Sequence, residues 1–236
     1  MPLVSSPPRR AARKPDHPVV DRLVHERALL ATGLLSLAGL DEAGRGPLAG
    51  PVVAAAVMFP PQWLQGEFPT ELAGLNDSKQ LSPARREKYF NWLTHHAEVR
   101  FAIAQVAAAR IDQINILQAT HVAMNEALAG LTPPPEHVLV DGNHVKSLRF
   151  PQTALVQGDA RSYSIAAASV LAKVTRDRLM MDGDRQFPGY GFAQHKGYGT
   201  AAHLAAIAKL GPCPLHRRSF APLKSEQGEL GLVSGL

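Results

Sequence analysis

Four carboxylates in the sequence share an unusual context, because each lies at, or a few residues beyond, the end of a short apolar segment. They are Asp41, Glu42, Asp141 and Asp159. Carboxylates so close to a hydrophobic core are costly to desolvate unless they are paired or bind a metal ion. Strand ends that meet in one sheet could bring all four to one crevice. Oxygen ligands without His or Cys companions favour Mg²⁺ or Mn²⁺, and such a site suits phosphodiester hydrolysis by two metal ions.

The doublet Asp41-Glu42 is expected to open a loop that continues into the glycine-rich turn Gly44-Arg45-Gly46. Adjacent residues of a strand point to opposite faces, so both carboxylates reach one ion only if the chain bends there. The glycines allow such a bend and expose backbone N–H groups to a ligand, while Arg45 could meet a phosphate or pair with the carboxylates. No Gly-x-x-x-x-Gly-Lys-Ser/Thr segment occurs in the sequence, which disfavours a nucleotide cofactor.

A purely structural interpretation competes with the metal site. Asp residues at strand ends most often cap turns or helix N-termini, and each of these Asp residues taken singly fits that role. The Asp-Glu doublet directly before Gly-Arg-Gly favours the metal site instead.

The pattern of apolar segments predicts an α/β domain with a mixed sheet flanked by helices. Short apolar segments bounded by Gly and Pro predict strands at 35–40, 52–59, 99–106, 138–140 and 153–156. Apolar periodicity and capping residues predict helices from Ser82 to about Ala97, over 111–130, over about 164–181 and near 200–209. The third of these helices begins with small residues, which would let its axis lie close to the sheet.

Composition limits the class of protein. The 236 residues allow one substantial domain or at most two. Four cations in the first twenty residues against one Asp supply +3 of the net charge of +5, so the rest carries only +2 (5 − 3). The single cysteine, Cys213, excludes an internal disulfide and a Cys-based zinc cluster. No apolar run approaches about 18 residues, and the N-terminus lacks the apolar core of a secretory signal, so we expect a cytoplasmic protein without a membrane span.

Seven ordered motifs, spread over most of the chain, carry a family resemblance. They are 41–53 (DEAGRGPLAGPVV), 75–81 (LNDSKQL), 140–143 (VDGN), 158–159 (GD), 164–177 (SIAAASVLAKVTRD), 190–198 (YGFAQHKGY) and 211–222 (GPCPLHRRSFAP). From about residue 37 to residue 224 the sequence resembles the ribonuclease HII family. Motifs of this length and order are highly specific.

The resemblance implies an RNase H-like fold with a small C-terminal helical extension. Residues 1–18 are rich in Pro, Ser and Arg and poor in large apolar side chains, so we expect a disordered basic arm there. The resemblance accords with a catalytic domain at 19–187 and the extension at 188–224, followed by a flexible tail at 225–236. It also implies endonucleolytic cleavage of RNA in RNA–DNA hybrids, or at ribonucleotides embedded in duplex DNA, giving 5′-phosphate and 3′-hydroxyl ends. The expected cofactors are two Mn²⁺ or Mg²⁺ ions, the expected setting is ribonucleotide excision during DNA replication and repair, and a monomer is expected.

Site residues follow from the same motifs. The resemblance makes Asp41, Glu42, Asp141 and Asp159 the four metal-binding carboxylates. It makes Gly44, Arg45 and Gly46 the sensor of the ribonucleotide 2′-hydroxyl and Tyr198 the aromatic side chain that stacks beside the ribose-to-deoxyribose junction. The sequence departs from the family at Gln157, where a Lys usually precedes Gly-Asp, so a phosphate contact could be weaker here.

Other polar residues are expected to support the site, to bind the nucleic-acid backbone or to have a structural role. Asp177 shares a helix face with Lys173, so we interpret it as an ion-pair partner or support for the site, and as the main rival of Asp159 for the fourth ligand. Residues expected to hold the nucleic-acid backbone as a group are Ser78, Lys79, Lys173, Arg176, His195, Lys196, His216, Arg217 and Arg218. Cys213, between two prolines, is interpreted as a small buried or turn residue.

Two alternative functions remain open from the residues alone. A DNA-processing nuclease or strand transferase of the same fold would use the same carboxylate and metal chemistry, but would cut a duplex equally with and without a ribonucleotide. A non-catalytic nucleic-acid-binding module would use its acidic residues only for structural ions and would give no metal-dependent product.

Overall fold

The structure is a computed structural model that describes residues 21–224. The predicted basic arm at 1–18 and the predicted tail at 225–236 lie outside the described residues. The elements of the described part follow in chain order: α1 (Val24–Leu30), β1 (Leu37–Ala43), β2 (Val52–Met58), α2 (Pro61–Gln65), a 3₁₀ turn (Thr70–Leu72), α3 (Pro83–His95), β3 (Arg100–Val106), α4 (Ala108–Ala129), β4 (His137–Asp141), β5 (Gln152–Leu155), α5 (Gly158–Arg161), α6 (Tyr163–Gln186), α7 (Phe192–His195) and α8 (Ala201–Leu210).

The five strands form one mixed sheet in the order β3-β2-β1-β4-β5. β2 pairs antiparallel with both β1 and β3, whereas β4 pairs parallel with β1 and β5. This architecture confirms the predicted fold class, and all five predicted strands and four predicted helices are present within a few residues of their expected bounds. The short helices α2, α5 and α7 were not predicted, because four or five residues carry too little periodicity to be recognised.

Both faces of the sheet are covered by helices, which explains why all seven residues of β2 are buried. Val53, Ala55 and Val57 pack with α6 on one face. Alternate residues of β2, among them Ala54 and Ala56, pack with α4 on the other face. Alternate side chains of β2 therefore contribute to two separate hydrophobic layers, one on each face of the sheet.

Helix α6 lies exceptionally close to β1. A Cβ atom added at Gly39 would lie 2.1 Å from the carbonyl carbon of Ser164 and 2.4 Å from the amide nitrogen of Ile165. The small residues Ala166, Ala167 and Ala168 are fully buried against the sheet. The expectation drawn from these small side chains is confirmed, and α6 runs beyond the predicted range to Gln186.

Strand β1 is longer than predicted. It was expected to end at Leu40, but its pairing with β2 continues through Asp41, Glu42 and Ala43. The expectation that Asp41 and Glu42 open the loop was therefore wrong, because backbone pairing with the apolar strand β2 keeps them extended. The glycine-rich turn begins at Gly44, whose φ of +95° lies in the left-handed region.

Helix α4 contains a break that the sequence pattern did not predict. Asn115 has φ 65° and ψ 164° within the helix. Its side-chain Oδ1 accepts a hydrogen bond from the Gln118 amide at 3.0 Å, so Asn115 caps the N-terminus of the second half of α4. The apolar periodicity continues across the break, so the sequence pattern gave no sign of it. Asn tolerates positive φ better than most residues.

The segment that follows α6 packs against residues 44–51. The amides of Leu48 and Gly50 donate to the carbonyls of Gly197 and Leu215, both at 2.8 Å. Ala49 forms an isolated antiparallel bridge with His216. The glycine-rich turn is thus held by residues from the end of the described chain. No helix within residues 21–224 has the length and apolar character to cross a membrane.

Candidate active site

Three of the four predicted carboxylates converge at one edge of the sheet. Asp41 lies in β1 and Asp141 ends β4, and the parallel register that pairs Leu40 with Val140 places the two carboxylates side by side. Asp159 lies in the first turn of α5, directly after β5. Carboxylate oxygens of Asp41, Asp141 and Asp159 all lie within 4.8 Å of one another. Residues separated by more than a hundred positions therefore form one compact acidic cluster.

Backbone hydrogen bonds orient the cluster. Oδ1 of Asp141 accepts from the Gly158 amide at 2.7 Å, which ties the end of β4 to the start of α5. The Arg22 guanidinium donates to the backbone carbonyls of Asp159 at 2.6 Å and Ala160 at 3.0 Å. These bonds hold α5, and with it the Asp159 side chain, against the end of the sheet.

The carboxylates of the cluster repel one another. Burial, followed by the negative charges of Glu42 and Asp141, raises the pKa of Asp41 well above its usual range. Burial and the charges of Asp141 and Asp77 raise the pKa of Asp159 to about 6. A divalent cation would relieve this repulsion, and an all-oxygen donor set suits a hard ion. The residues therefore fit a Mg²⁺ or Mn²⁺ site.

Glu42 lies beside the cluster and not within it. β1 remains regular through this residue, so its side chain takes the opposite direction from that of Asp41 and lies on the α4 side of the sheet. Oε1 of Glu42 accepts from Nη1 of Arg45 at 3.2 Å. Burial raises the pKa of Glu42, and the neighbouring Arg45 opposes that shift. The structure therefore brings Asp41, Asp141 and Asp159 together, with Glu42 paired to Arg45 at their border.

A crevice of about 650 Å³ opens over Asp41 and Glu42. Its walls include residues from every part of the predicted substrate site: Gly44, Arg45, Gly46, Ser78, Lys79, Lys173 and Tyr198. Glu42 and Arg45 also border an adjoining depression of about 230 Å³, which Asp141 and Asn143 line as well. The predicted substrate residues thus line the same crevice as Asp41 and Glu42, and Asp141 lines the depression beside it.

Lys79 provides a positive charge near the cluster. Burial alone would lower its pKa, but the negative charges of Asp77, Asp41 and Asp159 outweigh that effect and raise it. The neighbouring Ser78 is buried, and its Oγ accepts a hydrogen bond from Oγ of Ser169 at 2.9 Å. Lys79 therefore faces the carboxylates, whereas Ser78 is engaged in fastening the wall of the crevice to α6.

Asp177 is not part of the acidic cluster. Its Oδ1 accepts from Nζ of Lys173 at 2.7 Å, one helical turn away on α6. The structure thus agrees with the interpretation of Asp177 as an ion-pair partner and places Asp159, its rival, with the other carboxylates.

Three residues predicted to hold the nucleic-acid backbone were wrongly assigned. His216 and Arg217 are buried away from the crevice. Arg176 is also buried and, although it borders the crevice, its guanidinium donates to backbone carbonyls. His216 donates to or accepts from protein groups at both ring nitrogens, with Nε2 lying 3.1 Å from Nε2 of His203. The sequence shows these residues as polar and cationic, and only the tertiary structure shows that they face inward. Cys213 is buried, in agreement with its expected role.

Sequence reasoning missed three residues that shape the cluster. The neighbouring Asp77 helps to raise the pKa of Asp159, and the Ser169 hydroxyl opposes the rise in the pKa of Asp41. Arg22 holds the backbone of α5. Asp77 and Ser169 lie within two of the family motifs, so their position there could have identified them as site residues. Nothing in the local sequence of Arg22 indicates its long-range contact with α5.

Comparison with known proteins supports one family. The family model described as Ribonuclease HII matches residues 38–223. A curated relative named Ribonuclease HII from Geobacter metallireducens is 53% identical over 199 residues, which cover 84% of this chain and 90% of the relative. The crystal structure of ribonuclease H2 from Pyrococcus horikoshii superposes with a TM-score of 0.67 at 26% identity and covers 80% of this chain and 96% of that one. Bst-RNase HIII, solved in complex with Mn²⁺, has a TM-score of 0.61 at 19% identity over 91% of this chain and 74% of its own, which shows likeness of fold.

Proposed function

The chain belongs to the ribonuclease HII family and is a ribonuclease H endonuclease, and we propose that Asp41, Asp141 and Asp159, together with Glu42, hold the divalent ions of its reaction. The observation that carries this assignment is the approach of three carboxylates to within 4.8 Å of one another. The number of ions, two, and their identity, Mn²⁺ or Mg²⁺, belong to the same proposal.

Divalent ions held by these carboxylates would supply activation of a water molecule and stabilisation of charge on the scissile phosphate and the leaving oxygen. The residues of the chain orient the reacting groups. Asp141 is held by the Gly158 amide and Asp159 by the Arg22 contacts to α5, so the ligand oxygens need little reorganisation. Lys79, which faces the same carboxylates, lines the crevice where the phosphate would enter. No side chain has to form a covalent intermediate.

The proposed substrate is an RNA–DNA hybrid or a DNA duplex with embedded ribonucleotides, cut to leave 5′-phosphate and 3′-hydroxyl ends. The 2′-hydroxyl is what distinguishes RNA from DNA at a given position, and residues 44–46 line the crevice beside the carboxylates. We further propose that the enzyme acts as a cytoplasmic monomer in ribonucleotide excision during DNA replication and repair. The division into a catalytic domain at 19–187 and an extension at 188–224 is part of this proposal.

A cleavage assay on three matched duplexes tests the proposed substrate and ions together. The duplexes share one sequence and contain an all-RNA strand, a single ribonucleotide or only DNA. We expect cleavage of the first two with Mg²⁺ or Mn²⁺, no cleavage with EDTA, and recovery when the ion is added back. Equal cutting of the all-DNA duplex would contradict the proposed selectivity and favour a DNA nuclease. The absence of any metal-dependent product would contradict catalysis.

Tyr198 provides a separate prediction about stacking. The residue is 45% exposed, and the Arg176 guanidinium lies 6.0 Å from the centroid of its ring. A base stacked on an aromatic ring contributes about 1–3 kcal/mol, so Tyr198→Ala should lower kcat/KM on the single-ribonucleotide duplex by about 5- to 150-fold.

Tyr198→Phe is the matched control, because it keeps the ring and removes only the hydroxyl. We expect its kcat/KM to stay within about threefold of the wild type, since the stacking face is intact. An equal loss in both variants would assign the effect to the hydroxyl and contradict the stacking role.

A further inference from the structure

Arg217 is a fully buried arginine whose guanidinium donates hydrogen bonds to three backbone carbonyls. Nε donates to the carbonyl of Gly50 at 2.9 Å, Nη1 to that of Arg45 at 2.9 Å, and Nη2 to that of Gly44 at 2.5 Å. Within residues 21–224 no carboxylate lies at ion-pair distance from this guanidinium. Burying a charge without an ionic partner is costly, so the contacts with the loop are the interaction that this residue is placed to make.

The direction of these hydrogen bonds determines where the neighbouring amides point. In a trans peptide the C=O and N–H groups of one plane point in opposite directions. Because the carbonyls of Gly44 and Arg45 point toward Arg217, the amides of Arg45 and Gly46, which belong to the same two planes, point away from it. Neither amide donates a hydrogen bond to any residue in the described part of the chain. Arg45 and Gly46 are both exposed at the crevice.

The two free amides lie next to the other groups of the crevice. A Cβ atom added at Gly46 would lie 3.9 Å from Cε1 of Tyr198, so this face of the loop borders the aromatic ring. Glu42 lies within reach of Arg45 on the other side. A nucleotide seated between the ring and the carboxylates would therefore meet the Arg45 and Gly46 amides.

A second buried arginine supports the same loop from behind. Nε of Arg176 donates to the carbonyl of Pro51, and its Nη2 donates to the carbonyls of Ala49 and Lys196, all at 3.0 Å. Burial, and then the charge of Arg176, lower the pKa of Arg217 to about 9, which leaves Arg217 protonated at neutral pH. Positive charge behind a loop whose amides face outward favours an electronegative oxygen in front of them.

We propose that Arg217 is a positioning residue for ribonucleotide recognition, because it orients two peptide planes so that the Arg45 and Gly46 amides donate to the 2′-hydroxyl oxygen of the substrate. This inference rests on the proposed function of residues 44–46. It assigns to a buried residue, 173 positions away from Gly44 in the sequence, part of the selectivity for RNA. Lysine cannot replace the arginine, because its single ammonium lacks the planar fork that meets three carbonyls at once.

Steady-state kinetics of Arg217→Lys tests the proposal, since this variant keeps the charge and loses the fork. We expect KM for the single-ribonucleotide duplex to rise by about tenfold. The inhibition constant of the matched all-DNA duplex, used as a competitor, should change less than twofold. That duplex has no 2′-hydroxyl, so the variant loses no contact with it. Arg185→Lys, at an exposed ion pair with Asp182 on α6, is the control and should leave both constants unchanged.

A merely structural role for Arg217 predicts a different pattern. Partial unfolding would lower the active fraction, and therefore apparent kcat, without changing KM, and this result would overturn the proposal. An equal rise in KM and in the inhibition constant would also overturn it, because the loop would then recognise the phosphate backbone and not the 2′-hydroxyl.

A measurement on the wild-type chain keeps the proposal falsifiable if Arg217→Lys does not fold. With ¹⁵N-labelled enzyme in EDTA, the amide resonances of Arg45 and Gly46 should shift further with the single-ribonucleotide duplex than with the all-DNA duplex. Equal shifts with both duplexes would overturn the proposal. A wild-type enzyme that cut all-DNA and ribonucleotide-containing duplexes alike would instead show that the proposed function had failed, which the cleavage assay detects separately.

Discussion

Asp141→Asn is expected to lower kcat on an RNA–DNA hybrid by at least about 10³-fold, or about 4 kcal/mol of transition-state stabilisation. Asp141 contributes one of the three carboxylates that approach within 4.8 Å of one another. The amide keeps the size of the side chain but removes a negative charge from the proposed metal site. Hybrid affinity should stay within about threefold of the wild type, because the backbone contacts of a nucleic acid depend on other groups. Single-turnover cleavage and fluorescence anisotropy of a labelled hybrid measure the two quantities.

Asp182→Asn is the matched control for this substitution. Asp182 lies on α6, in an exposed ion pair with Arg185, and the same chemical change there should leave kcat within about twofold, since exposed ion pairs contribute little. If Asp141→Asn cleaved the hybrid at the wild-type rate, the assignment of the metal site would be wrong.

Gly39→Ala should be the most destabilising single-methyl substitution in the sheet. The added carbon would lie 2.1 Å from the carbonyl carbon of Ser164, and a backbone atom of a packed helix cannot move aside as a flexible side chain can. Overpacking of a core costs about 1–3 kcal/mol and occasionally more, so we expect a loss of about 3 kcal/mol and a fall in Tm of about 6–12 °C. Thermal unfolding followed by circular dichroism measures the change.

Gly33→Ala separates this steric effect from backbone strain. Gly33 has φ +96°, and a Cβ atom there would meet no atom within 4 Å, so only the cost of the left-handed conformation, about 1–2 kcal/mol, applies. A larger loss of stability at Gly33 than at Gly39 would show that α6 can shift away from β1 and that the close contact is not a constraint on the fold.

The sequence predicted the sheet and the main helices because their apolar periodicities are long and regular. It also predicted that Asp41, Asp141 and Asp159 meet, but it placed Glu42 with them, and Glu42 lies beside the cluster. It did not predict that β1 continues through Glu42, because this extension depends on pairing with β2 and not on the local sequence. The break at Asn115 was hidden by apolar residues that keep the same face on both sides of it.

The buried cations were the largest error in predicting the site. Arg176 and Arg217 were expected to contact phosphates, since arginine is mostly exposed and binds phosphate well. Their partners are backbone carbonyls of residues 44–51 and of Lys196, and every residue has a carbonyl, so no sequence pattern marks which ones will accept. The side-chain type correctly indicated that these residues donate hydrogen bonds to oxygen. It wrongly indicated that they point outward to a phosphate.

The contacts that hold the glycine-rich turn also set the order in which the enzyme becomes competent during its synthesis. Gly44 and its partner Arg217 are separated by 173 positions, an interval that takes roughly 10–35 s at ordinary rates of translation. In that interval the nascent chain already contains Asp41, and later Asp141 and Asp159, but nothing yet orients the amides beside them. Asp41, Asp141 and Asp159 are all synthesised before Arg217, so the proposed orientation of the Arg45 and Gly46 amides is the last part of the site that synthesis can complete.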